Sequence, residues 1–141
     1  MSNNRFSLLG RMLLGAMVAS IWFGIQASPR TESEPRITGT YSDMHYIEEA
    51  GDLLGTEIKI VFTGSKLQGA LQIAQGPPGE LTVADVVAKG NSIQFVIPDE
   101  NMYTGSFTGR LTNGWLRGKF RFKAGAEERV ALRPGKSYWD K

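Results

Sequence analysis

Seven cationic side chains, Arg110, Arg117, Lys119, Arg121, Lys123, Arg129 and Arg133, fall in one short stretch near the end of the chain. Gathered on one surface, such residues bind oxyanions: they set up a local positive field that draws phosphate headgroups or an acidic protein surface. The segment "WLRGKFRFKA", residues 115–124, shows how they would be gathered. Successive side chains of a β-strand point to opposite faces. Trp115, Arg117, Lys119, Arg121 and Lys123 therefore share one face, and Leu116, Gly118, Phe120, Phe122 and Ala124 share the other.

Other chemistry finds little support. His45 is the only histidine, so a Ser-His-Asp triad would have to be built around it and a multi-histidine metal site is excluded. As a first-strand residue near a rim it needs no catalytic role. The acidic turn "EEAGD" (Glu48, Glu49, Asp52) offers oxygen ligands to Ca²⁺ but lacks the alternating ligands and terminal Glu of an EF-hand loop, so it reads as a solvated turn. Nucleophile-elbow, zinc-protease, P-loop and dinucleotide signatures are all missing. The chain has no cysteine, which rules out disulfides, thiolate metal sites and acylation on Cys. We expect no enzyme, no metal and no cofactor.

The strands that carry the basic residues are fixed by two turns. Asn113-Gly114 is a type I′ hairpin signal, because both central residues must take positive φ. It sets Leu111 against Leu116, Gly109 against Gly118, Phe107 against Phe120 and Gly105 against Phe122. The other face then pairs Arg110 with Arg117, Thr108 with Lys119, Ser106 with Arg121 and Thr104 with Lys123. The turn alone chose this register, so the clean separation of apolar from polar pairs is an independent check on it. Gly64-Ser65 suits a type II′ turn and sets Phe62 against Leu67, Ile60 against Gly69 and Ile58 against Leu71. A three-residue turn at Gly125–Glu127 would bring Arg129, Ala131 and Arg133 beside Lys123, Arg121 and Lys119.

Further strands are expected at Arg36–Tyr46, Leu81–Ala88, Ser92–Ile97 and Glu128–Arg133. In the Leu81–Ala88 strand, either Val83 and Val87 or Ala84 and Val86 face inward. Eight short strands joined in sequence by tight turns predict an all-β fold, a small antiparallel up-and-down meander closed into a barrel, since closure removes the exposed edges. The interior of such a barrel is filled by side chains or holds one small ligand. Inward phenylalanines favour filling, helped by glycines at 69, 105, 109 and 118 where side chains cross closely. If the interior is instead hollow, Tyr41, Phe62, Phe95, Phe107, Phe120 and Phe122 would line the site of a small apolar ligand.

Ahead of the barrel, Arg5 and Arg11 precede the apolar run Met12–Ile25, followed by the small residue Ala27. This is the order of a signal peptide, expected as a helix over 1–27 and either cleaved or kept as an anchor. Residues 28–36, "SPRTESEPR", read as a flexible linker, and 37–141 as the barrel domain. Without Arg5 and Arg11 the basic residues number 14, equal to the 14 acids. The charge is nevertheless segregated. From Asp43 to Glu100 nine acids face only Lys59, Lys66 and Lys89, whereas the basic cluster dominates the last third.

"GTY" at Gly39-Thr40-Tyr41, the meander, and Leu132-Arg133 after the last strand resemble the calycin barrels, the lipocalins and avidins. Lipocalins carry Gly-x-Trp on the first strand and pack an arginine from near the barrel's end across that Trp; here Tyr41 stands in the Trp position. The resemblance also extends to small exported bacterial barrels that inhibit lysozymes. It implies an exported binding protein, periplasmic or secreted.

Together these features predict a non-enzymatic binding module of the cell envelope whose basic outer face meets an anionic lipid or glycolipid surface or an envelope protein. The alternatives are a carrier of a small apolar ligand and an inhibitor of an envelope hydrolase such as a lysozyme. Nucleic acid is not expected as a partner: export removes it, and the aromatic residues Phe120 and Phe122 point inward and offer no stacking platform.

Overall fold

The computed structural model describes residues 36–99 and 102–140. The signal helix expected over 1–27 and residues 28–35 of the linker lie outside the described residues. Nine strands follow one another: β1 (Gly39–Ser42), β2 (His45–Ile47), β3 (Asp52–Phe62), β4 (Leu67–Gly76), β5 (Thr82–Lys89), β6 (Ser92–Ile97), β7 (Gly105–Thr112), β8 (Trp115–Phe122) and β9 (Glu127–Gly135). Each pairs antiparallel with the next from β2 to β9, and β1 pairs with both β9 and β3, closing the sheet. Nine segments fill eight barrel positions, because β1 and β2 are one strand broken at Asp43-Met44.

The break has a local cause. Asp43 N donates to Thr56 O at 3.1 Å, but Thr56 N donates to the Asp43 carboxylate at 2.6 Å, where a ladder bond would use the backbone carbonyl. The carbonyl so released accepts from His45 Nδ1 at 2.9 Å, which places the imidazole proton on Nδ1. His45 itself is exposed. Gly55 lies opposite the break, where a Cβ would sit 2.7 Å from Asp43 O.

Both turn-derived hairpins take the expected registers, with every expected pair in the ladder except Thr104 and Lys123, which lie just beyond its end and share one backbone hydrogen bond at 2.8 Å. Asn113 and Gly114 have φ of 51° and 80°, as type I′ demands, and Gly64 has φ of 94°. The Gly90-Asn91 turn sets Val86 against Phe95, which settles the β5 ambiguity: Ala84 and Val86 are buried, while Val83 and Val87 are more than half exposed.

Aromatic side chains pack through the interior. Phe107 and Phe120 are fully buried, Phe95 stacks on Phe107 at 5.0 Å, and Phe107 meets Phe120 at 4.8 Å. Phe122 stacks on Phe120 at 5.7 Å and extends the column toward Tyr103. Tyr41 is also inside; it donates to Ile37 O at 2.8 Å, and burial raises its pKa above the ordinary tyrosine value. Phe62 departs from expectation. Its parity is inward, but it pairs with Leu67 beside the Gly64-Ser65 turn, at the rim, and is 61% exposed.

Beyond β9 the tail folds back along the outer wall of β3 and β4. Glu57 points outward by strand parity, yet it is buried, because Ser137 Oγ donates to one carboxylate oxygen and Tyr138 N to the other at 2.8 Å. Trp139 Nε1 donates to Gln72 Oε1 at 2.7 Å. Hydrogen bonds to a charged group contribute about 1.5–3 kcal/mol. Glu57→Ala should therefore lower stability by roughly that amount and free the tail, seen as faster chymotrypsin cleavage at Tyr138 and Trp139 and a lower urea midpoint.

A candidate anion-binding face on the barrel wall

β7, β8 and β9 place the basic residues on the outer wall. Across the three strands, Arg110 lies against Arg117 and then Ala131, Thr108 against Lys119 and then Arg129, and Ser106 against Arg121 and then Glu127. Arg133 pairs with Ser42 on the far side of β9. Lys123 lies just past β8 in the turn.

The β8–β9 register differs from the expected one by four residues. The turn does span three residues, but they are Lys123–Gly125: Phe122 N donates to Ala126 O at 2.9 Å, and Gly125 takes φ of 92°. A three-residue hairpin loop needs its last residue in the left-handed region, and Gly125 is the residue here that reaches it without strain. An even shift leaves every side chain on its expected face and changes only its neighbours. Arg129 therefore sits beside Lys119 instead of Lys123, and Glu127 enters the basic row.

Glu127 divides the cluster. Its carboxylate accepts from Arg121 Nε at 2.6 Å and from Lys119 Nζ at 3.0 Å, while Lys123 reaches Asp99 at 3.3 Å. Arg110, Arg117, Arg129 and Arg133 make no ion pair among the described residues. Two of them stack on the half-buried Trp115: the guanidinium carbons of Arg117 and Arg133 lie 5.5 and 5.2 Å from its ring centroid. Trp115 was absent from the expected site although the same alternation places it on the basic face. Arg133 thus stacks on Trp115 outside the barrel, and not across Tyr41 inside it as the lipocalin pattern would have it.

An indole in contact with two guanidiniums orients both without neutralising them. Guanidinium presents a planar fork of donors that matches carboxylate or phosphate oxygens, so each unpaired arginine is free to take an oxyanion in bidentate fashion. Arg110 and Arg117 face one another as like charges, an arrangement that costs a sheet about 0.2–1 kcal/mol and that an anion between them would relieve.

The ion-paired half responds to pH. Hydrogen bonds from Arg121 and then Lys119 hold the Glu127 carboxyl below its ordinary value. For a carboxylate lowered in the folded state, the pairing is present above the unfolded pKa and is lost as pH falls through the folded one. Protonation there releases two cations, so affinity for phosphate-bearing vesicles should rise as pH drops below the usual carboxylate range. Glu127→Gln should reproduce the gain at neutral pH, about fivefold for one charge near an anionic surface, measured by vesicle co-sedimentation.

Comparison with protein-family models, curated proteins and solved structures finds no match to this chain.

Proposed function

We propose that this chain is an exported, calycin-like, non-enzymatic binding module of the cell envelope that docks on anionic lipid or glycolipid headgroups through its basic wall. The observation that carries this reading is the set of four outward arginines, Arg110, Arg117, Arg129 and Arg133, that make no ion pair among the described residues, two of them, Arg117 and Arg133, stacked on Trp115. In a domain whose acids and bases balance, four guanidiniums without ion pairs on one wall are a local departure from neutrality. The phenylalanines packed through the interior favour the wall over the interior as the binding surface. A basic patch near an anionic leaflet gains about 1 kcal/mol per cation, and the gain falls off within a Debye length.

Co-sedimentation with vesicles tests the reading, comparing phosphatidylglycerol mixed into phosphatidylcholine with phosphatidylcholine alone. Binding should require the anionic lipid and weaken steeply as salt is raised. Equal partition onto the two compositions would overturn it.

A further inference from the structure

A second site lies on a different part of the wall, where the folded-back tail meets the β2–β3 turn. There Tyr46, Tyr138 and Trp139, with Leu53, Pro77 and Asp52, line an open groove of about 490 Å³. Tyr46 and Trp139 are 53% and 50% exposed, large for two aromatic side chains beside the same groove. Leu53 points outward by its pairing with Tyr46 yet is only 4% exposed, so the groove has an apolar floor.

The walls are fixed before any ligand arrives. Trp139 is pinned by its hydrogen bond to Gln72, and the backbone before it is pinned by Glu57. Tyr46 is held by strand pairing and by the tight turn that Gly51 N closes on Ile47 O at 2.9 Å. Groups ordered in advance lose less on binding than flexible ones.

One group in this groove has no partner. The Asp52 carboxylate accepts no hydrogen bond and makes no ion pair among the described residues. Among the described residues no cationic side chain lines the groove, and the turn that supplies Tyr46 and Asp52 also carries Glu48 and Glu49, both exposed. The local field is therefore negative, opposite in sign to the arginine wall.

We propose that this groove binds a quaternary ammonium ion. Aromatic faces attract a cation through their ring quadrupoles, and a quaternary nitrogen has no N–H donors to satisfy, so one carboxylate and a carbon-rich lining meet its needs. A primary ammonium would bring three donors to a groove with a single carboxylate. This groove shares no residue with the arginine wall.

The test uses the full chain and two probes of nearly equal shape, choline and its neutral carbon isostere 3,3-dimethylbutan-1-ol, at matched ionic strength. The readout is the indole N–H resonance of Trp139, assigned through Trp139→Phe. Choline should shift this signal saturably and bind at least about fivefold more tightly than the isostere, with Asp52→Asn and Tyr46→Leu each weakening choline by about fivefold. The comparison of probes on the unmodified chain does not depend on how any variant folds. Equal binding of the two probes would make the groove merely apolar and overturn the proposal. The absence of a saturable shift with choline, or full affinity in Asp52→Asn, would overturn it as well.

Discussion

Gly118→Ala is expected to lower the unfolding free energy by about 2 kcal/mol or more and the melting temperature by roughly 10 °C. A methyl group is rarely so costly in a strand, where alanine ordinarily gains several tenths of a kcal/mol over glycine. The difference lies in what occupies the space. A Cβ on Gly118 would stand 2.4 Å from Phe107 Cζ, 2.7 Å from Phe107 Cε2 and 2.8 Å from the backbone oxygen of Thr108. Gly109, directly opposite, has the same ring 2.7 Å from its own Cβ position. The Phe107 ring thus lies across a pair of facing glycines. It cannot retreat, because Phe95 and Phe120 bracket it at 5.0 and 4.8 Å and it is fully buried.

Phe107→Ala removes the wedge itself and should cost about 3–5 kcal/mol, a large share of the 5–15 kcal/mol typical of a small domain. The two effects are coupled. Phe107→Leu shortens the side chain at the end that meets Gly118, so the double variant Phe107→Leu/Gly118→Ala should cost less than the sum of its parts by about 1 kcal/mol. Urea denaturation of the four species measures this directly. Strict additivity would mean that the ring does not lie over Gly118.

The same pair of residues shows how much the sequence disclosed. Asn113-Gly114 fixes the β7–β8 register by backbone geometry alone, and with it the ring-over-glycine contact, because both consequences are local. Where a turn offered two solutions, the outcome was set by conformational freedom at one position. Gly125 can take the left-handed conformation that closes Lys123–Gly125, whereas a turn centred two residues later would ask it of Glu127. That shift kept every face and changed every neighbour, which is why the basic wall was legible and its division by Glu127 was not.

The long-range features were the least legible. No periodicity reveals that the Asp43 carboxylate replaces a ladder carbonyl, because its partner Thr56 is thirteen residues away. Likewise, Glu57 reads as an ordinary outward charge until Ser137 and Tyr138, some eighty residues on, cover it. The aromatic tail carries no periodicity that would say which surface it covers. It lies along the wall, because Glu57 and Gln72 there give it fixed acceptors.

Reversing two charges, Arg117→Glu with Arg133→Glu, is expected to reduce partition onto phosphatidylglycerol-containing vesicles by two to three orders of magnitude, roughly 4 kcal/mol. Each reversal removes about 1 kcal/mol of attraction and adds a comparable repulsion. Arg121→Gln removes one charge and reverses none, so it should weaken partition only about fivefold. Trp115→Leu leaves the charges in place but removes the ring on which Arg117 and Arg133 rest, so it should weaken binding only modestly and flatten the difference between arginine and lysine at those positions. Loss of fold cannot imitate this pattern. Arg117 faces Arg110 across the strands, and glutamate there turns a like-charge pair into an attractive one. The reversed variant should therefore melt no lower than its parent by that pair while losing the membrane. If it still partitions like the parent, the arginine wall is a solubilising surface, and the membrane reading fails at the residues on which it rests.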